Sequence, residues 1–349
     1  MELKRDVFGN ARRGEKIFLY TLRNDHGITI KITNYGGIIT SVKTPDKTGK
    51  KANIVLGFKS LEDYLTDAYI ENCPCFGCIT GRYANRIAKG KFSIGSSVYT
   101  LPINNGENCL HGGITGFDKV IWVPKKIEKP NLVGVEMKYR SLHMEEGFPG
   151  NLDVTVTYTL NHKDEFHIDY KAVTDRDTVL NLTNHTYFNL TGNDDNILGH
   201  TLYIPAKTRT VNDENLIPTG AFSEVAGTPF DFTTPSTLGS RIEALPDGYD
   251  LNYILENPNS KLVKAGVLSE ESSGRTVEVF TTEPGIQIYT GYYIPDIKGK
   301  NGELFHKYAG VALETQHYPD SPNHPEFPST LLKPGEVFKS KTIYKFGTR

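Results

Sequence analysis

Residues 152–160 alternate without a break. Leu152, Val154, Val156, Tyr158 and Leu160 are apolar, while Asp153, Thr155, Thr157 and Thr159 between them are polar. A period of two puts successive side chains on opposite faces of a pleated strand. The next run, 166–173, repeats it, with Phe166, Ile168, Tyr170 and Ala172 on one face and His167, Asp169 and Lys171 on the other. The polar connection 161–165 joins the two runs, so together they predict an antiparallel hairpin. Further strands are predicted over 27–35, 132–140, 276–282 and 286–294. Turn signals separate them: Asn105-Gly106, Pro149-Gly150, Asn301-Gly302, Pro334-Gly335 and Pro246-Asp247-Gly248.

Helical patterns are few and short. The best covers 57–67, where Ser60 is placed to cap and Asp63 occupies the capping-box position. Composition agrees, with 19 Tyr and 17 Phe against 3 Met, and 33 Gly and 19 Pro to make turns. No repeat, low-complexity segment or Pro/Ser linker divides the 349 residues. The expectation is one large antiparallel all-β sandwich over 1–349 with few short helices.

Several function classes drop out early. A net charge of −2 supplies no basic footprint for nucleic acid or an anionic membrane. The N-terminal residues hold no apolar core or small-residue cleavage site of a secretory signal, and no apolar run approaches the ~18 residues of a membrane span. A cytoplasmic location is therefore expected, and the Asn-x-Thr triplets starting at Asn181, Asn184 and Asn189 are incidental rather than glycan acceptors. Cys73, Cys75 and Cys78 lie close together and Cys109 lies apart, without the paired Cys-x-x-Cys of a strong zinc signature, so they read as reduced packing thiols. Phosphate-binding, dinucleotide, zinc-protease and serine-hydrolase motifs are all missing from the sequence.

What remains is a set of polar clusters in apolar surroundings. In 180-LNLTNHTYFNL-190, His185 sits among Asn184, Thr186, Tyr187 and Phe188. Taken alone it reads as a satisfied core histidine. In 311-VALETQHYPDSPNHPEF-327, Glu314 follows an apolar start and precedes a proline-rich loop, where partial desolvation would raise its pKa toward that of a usable base. His317 and His324 read as loop or supporting residues. The segments 81-GRYANRI-87, 109-CLHGG-113, 246-PDGYDLNY-253 and 285-GIQIY-289 add Arg82, Asn85, Arg86, His111, Asp250 and Gln287. Such groups suit vicinal hydroxyls, which donate and accept at once. An acid/base pair surrounded by them describes a sugar site without a metal.

These motifs, with 116-GFDK-119 and the Tyr-Thr-Gly after Gln287, resemble the aldose 1-epimerase family in order and over about residues 25–345. The resemblance implies a galactose mutarotase-like β-sandwich, a cofactor-free reaction and a small-molecule aldohexose such as galactose or glucose as substrate. It implies His185 as general acid and Glu314 as general base. Asn85, Arg86, His111, Asp250 and Gln287 would contact the sugar, with no metal ligand. Tyr292 stands where a smaller polar residue is expected, a difference bearing on substrate preference.

Interconverting anomers requires opening of the C1–O5 bond, rotation about C1–C2 and reclosure. Glu314 would take the C1 hydroxyl proton and a protonated His185 would supply the ring oxygen, its pKa held up by a nearby carboxylate. The clustered Asn and Thr would cradle its ring. Arg86 and His111 would stabilise oxygen charge. Alternatives are an epimerase of phosphorylated hexoses, which needs an extra basic pocket, a non-catalytic sugar-binding module, and a metal-dependent isomerase. Trp122, the one tryptophan, reads as core.

Overall fold

The computed structural model describes residues 1–192, 195–257, 259–299 and 302–349. Within them the alternating runs form the spine of a nine-stranded antiparallel sheet. Its order is Val123–Lys129, Leu132–Ser141, Leu152–Asn161, Glu165–Thr174, Phe338–Thr348, Arg275–Thr281, Val263–Ser269, Thr201–Tyr203 and Ser236–Thr237. The hairpin forms as expected, with Tyr158 opposite Ile168 and Val156 opposite Tyr170. Val154, Val156, Tyr158, Ile168 and Tyr170 all enter one hydrophobic core. Period two in the sequence becomes a dry face here because that face is covered.

A six-stranded antiparallel sheet carries the other half of the architecture. Its order is Tyr187–Phe188, Val311–Gln316, Gly285–Tyr289, Asp250–Ile254, Thr208–Asn212 and Pro218–Glu224. An N-terminal meander, Glu2–Asn10 through Lys51–Asn53, makes a five-stranded sheet. Trp122 is fully buried, edge-on to Phe117 with ring centroids 5.7 Å apart, as its core reading expected.

The predicted helix is a single turn, Leu61–Tyr64, with Ser60 Oγ accepting from the Asp63 N–H. A second short helix, Asp67–Asn72, was not predicted; Thr66 caps it and Cys73 ends it in the left-handed region. Both pack on an aromatic cluster containing Phe58, Tyr64, Tyr69 and Phe76. The strand predicted over 286–294 stops at Tyr289. Gly291 there adopts φ +66°, and a Cβ would stand 2.8 Å from the Gly310 carbonyl, so the chain turns. Of the predicted turn at Asn301-Gly302, Asn301 lies outside the described residues. Among the described residues, no helix is long and apolar enough to cross a membrane.

Candidate active site

Position in the six-stranded sheet decides where the polar side chains point. Val311–Gln316 runs between Tyr187–Phe188 and Gly285–Tyr289, and Gly285–Tyr289 pairs in turn with Asp250–Ile254. The register sets Gln287 opposite both Glu314 and Asn252, and Asp250 opposite Tyr289. Alternation then turns Val311 and Leu313 into the main core and leaves Glu314 and Gln316 on the other face. Glu314 was expected near the end of an emerging strand. It lies instead inside a fully buried strand with partners on both sides.

His185 arrives from a neighbouring segment. Its backbone is clamped twice, its N–H donating to the Cys78 carbonyl at 2.9 Å and its carbonyl accepting from the Gly77 N–H at 2.9 Å. The imidazole Nε2 then lies 3.5 Å from Glu314 Oε1, and both side chains are almost wholly buried. The expected Asn/Thr cradle does not hold this ring. Asn184 Nδ2 donates to the Gly77 carbonyl, and Thr186 Oγ1 donates to Asn184 Oδ1. These bonds shape the loop backbone, while rings pack the imidazole: Tyr187 at 4.8 Å, His111 at 5.2 Å and Tyr289 at 6.4 Å between centroids.

The pair forms the floor of a cleft of about 430 Å³, within the ordinary range for small-molecule sites. Asn85, Arg86, His111 and Asp250 line it with them. Arg86 Nε donates to Asn105 Oδ1 at 3.0 Å, and its Nη1 stands 3.8 Å from Asp250 Oδ2. Gln287 does not line the cleft. It is buried behind Asp250 and donates to Asp250 Oδ1 at 2.5 Å, so it orients that carboxylate. Arg82 is also elsewhere: its buried guanidinium donates to the Pro149, Gly150 and Leu142 carbonyls and to Ser141 Oγ, tying loops together. Tyr292 is not part of the lining, whereas the adjacent Tyr293 is. His317 lies off the cleft, its Nδ1 2.6 Å from Glu283 Oε2.

Sequence reasoning passed over Asn105, Asn108, Glu214, Asn215, Leu216 and Tyr289, which complete the walls. Asn105-Gly106 was visible only as a turn signal. Glu214 and its neighbours come from the distant turn between Thr208–Asn212 and Pro218–Glu224, which no local pattern links to the site.

Burial dominates the electrostatics. It pushes His185 down to about 4. It holds Glu314 well above the usual carboxylate range, with Asp250 adding to the rise and Arg86 opposing it. The expectation that a carboxylate raises the His185 pKa is thus reversed in the free cleft, because removal from water outweighs an ion pair at 3.5 Å. His111 is held well below its ordinary value by burial first, then by His185, Arg86 and Lys119. Its Nδ1 accepts the Asn85 N–H at 3.2 Å, so Nε2 carries the proton of the neutral ring.

That tautomer bears on metal binding. His111, His185 and Glu314 offer donor atoms within 4.8 Å of one another. With Nδ1 of His111 accepting and Nε2 protonated, the ring has no free lone pair, and a metal would have to break the Asn85 bond. The three residues fit proton and hydrogen-bond chemistry better than metal ligation.

On an all-β scaffold, a buried carboxylate–imidazole pair flanked by amides, a guanidinium and a second carboxylate makes an acid–base site for a small polyhydroxylated molecule. Comparison with known proteins narrows this class. The aldose 1-epimerase family model matches residues 19–345, and the chain belongs to that family. It is 43% identical over 350 residues to the galactose mutarotase of Mus musculus, covering 99% of each chain. It is 36% identical over 344 residues to the aldose 1-epimerase of Escherichia coli (strain K12), covering 96% of this chain and 97% of that one. Among solved structures, galactose 1-epimerase from Lactobacillus acidophilus NCFM superposes with a TM-score of 0.86 at 29% identity, covering 99% of both chains.

Proposed function

We propose that this chain is a mutarotase of free hexoses such as galactose and glucose, with Glu314 as general base and His185 as general acid. The observation that carries the residue assignment is their 3.5 Å approach at the floor of the cleft, both shielded from solvent. Ring opening needs a proton to leave the C1 hydroxyl and another to reach the ring oxygen, and two facing groups can do both without exchange with bulk water.

The reversed pKa directions refine this mechanism. A neutral imidazole beside a protonated carboxyl holds the same number of protons as an imidazolium beside a carboxylate. Burial favours the uncharged arrangement before sugar binds. A C1 hydroxyl donating to Glu314, with Arg86 on the same side of the balance, favours the charged arrangement in which His185 carries the proton. Glu314 then takes the C1 proton while His185 protonates the ring oxygen, and the exchange reverses on closure. His111 Nε2–H donates to a sugar oxygen, Asn85 and Arg86 contact hydroxyls, and Asp250 accepts from the far ones. Gln287 keeps Asp250 in place.

The cleft favours a free sugar over a phosphorylated one. Among the described residues lining it, Arg86 is the single cation, against the carboxylates of Glu214 and Asp250. A phosphate would meet more negative charge than positive. Polarimetry of freshly dissolved α-D-galactose and α-D-glucose tests the reading. Relaxation much faster than buffer on either sugar is the expected result. Relaxation at the buffer rate on both would overturn it.

A further inference from the structure

We propose that Cys73, Cys75 and Asp118 form a binding site for a borderline-soft divalent cation of the Zn²⁺ or Cd²⁺ type, in the wall of the cleft. The sequence alone read these thiols as packing. The fold places them otherwise. Cys73 ends the Asp67–Asn72 helix at φ +39°, and Cys75, just past Pro74, sits at φ +57°. Two left-handed residues around a proline curl the chain so that both sulfurs meet, Sγ to Sγ at 3.5 Å. Asp118, from the distant GFDK segment, brings Oδ2 to 3.8 Å from Cys73 Sγ. The three donor atoms all lie within 4.8 Å of one another.

These separations match the edges of a tetrahedral metal sphere. With metal–sulfur bonds near 2.3 Å, two thiolates stand roughly 3.8 Å apart, and a thiolate and a carboxylate oxygen roughly 3.6 Å apart. The donors are therefore close to ligating positions before any cation arrives. Thiolate sulfur selects for zinc-like cations over Mg²⁺ or Ca²⁺. Two thiolates and a carboxylate give −3 against +2 on the cation, each thiol having released its proton to solvent, so the site supplies ample negative charge. Lys119 now supplies the positive charge, its Nζ 2.5 Å from Asp118 Oδ2 and 3.5 Å from Cys73 Sγ. A cation displaces that ammonium toward solvent. Cys73 and Cys75 both line the cleft, so a fourth coordination position opens onto it.

The test is titration of the reduced, full-length protein with Cd²⁺, read by thiolate-to-metal charge-transfer absorption, with Zn²⁺ as competitor. A saturable band at one equivalent, displaced by Zn²⁺, is expected. Cys73→Ser and Cys75→Ala should remove it, and Asp118→Asn should weaken binding about tenfold or more. Lys119→Ala should tighten it by a factor on the order of 5, because it removes a competing charge near 4 Å. Cys73 is only partly buried, so its variant, checked by thermal melting, decides the matter even where Cys75→Ala fails to fold. No band at large metal excess would overturn the proposal. So would a band that survives Cys73→Ser, or binding lost only with His185→Asn. The readout is independent of mutarotase activity.

Discussion

The strands Leu152–Asn161 and Val311–Gln316 both carry polar side chains beside apolar ones, and those polar side chains meet opposite fates. In the first, Asp153, Thr155 and Thr157 reach the solvent side of the nine-stranded sheet. In the second, Glu314 is 1% exposed and Gln316 0%, as buried as the core face behind them. The same burial continues across the sheet to Gln287 and Asn252. Along this row Glu314 Oε2, Gln287 Oε1 and both amide atoms of Gln316 and Asn252 have no hydrogen-bond partner among the described residues. A buried polar group left without a partner costs about 1–3 kcal/mol. Both sheets feed the core, but only the six-stranded one buries reactive groups at the floor of a cleft.

The comparison is broken most directly at the catalytic pair. Glu314→Gln and His185→Asn should each slow mutarotation by roughly 10²- to 10⁴-fold, and the double variant should lose little more, because the two act as one unit. Polarimetric rates decide it; additive losses would separate the two roles. The pH–rate profile should be a broad bell. The pair is competent while it shares one mobile proton, so the rate falls on the acid side as His185 also protonates, near its value of about 4, and on the alkaline side as Glu314 ionises above its raised pKa. A profile centred on an unperturbed histidine would contradict the burial argument.

Gln287→Leu comes next. It leaves the cleft lining intact and removes only the bond that orients Asp250. A lost hydrogen bond to a carboxylate predicts a fall in kcat/KM of about 10- to 100-fold, mostly through KM, with the melting temperature little changed. A kcat effect alone would place Gln287 closer to the chemistry than its position behind Asp250.

A smaller effect contrasts the two polar sides. Thr155→Val on the outer side of the nine-stranded sheet should shift stability by no more than about 0.5 kcal/mol. Gln316→Leu should stabilise the protein by about 1 kcal/mol, since it removes two unpaired buried amide atoms. Equal responses in chemical denaturation would erase the distinction between the sheets.

Much of the nine-stranded sheet was legible because its period-two pattern is read against water. The Ser60 cap and the core Trp122 were legible for the same local reasons. The six-stranded sheet was harder: VALETQ turns from apolar to polar at Glu314 and reads as a strand leaving the core, and only the fold shows the whole strand to be buried. His185, Glu314, Asn85, Arg86, His111 and Asp250 come together in one cleft; the polar clusters raised them as candidates and the family resemblance gave them their roles. Gln287 was expected against the sugar and stands one layer behind, since neighbouring strands put it beside Asp250. The Cys73–Cys75–Asp118 cluster was invisible because its third donor lies 43 positions beyond Cys75 in the chain.

The smallest effect concerns Glu314 as a stability element. Its folded pKa is raised, so the native state binds its proton more tightly than the unfolded chain does. That contribution is fully present below the unfolded value, near 4.5, and is lost as pH rises toward the folded value. Glu314→Gln carries no such proton. The variant and the parent should therefore melt together near pH 4, and the variant should become the more stable of the two as pH rises toward 8 while remaining inactive. His185 works in the other direction, since its lowered pKa costs stability as pH falls from about 6.5 toward 4, but it is common to both proteins and cancels in the difference. Melting curves of the two across this range measure the Glu314 contribution alone. A variant less stable than the parent at pH 8 would mean that the carboxylate is paired more strongly than its buried, half-unsatisfied position allows.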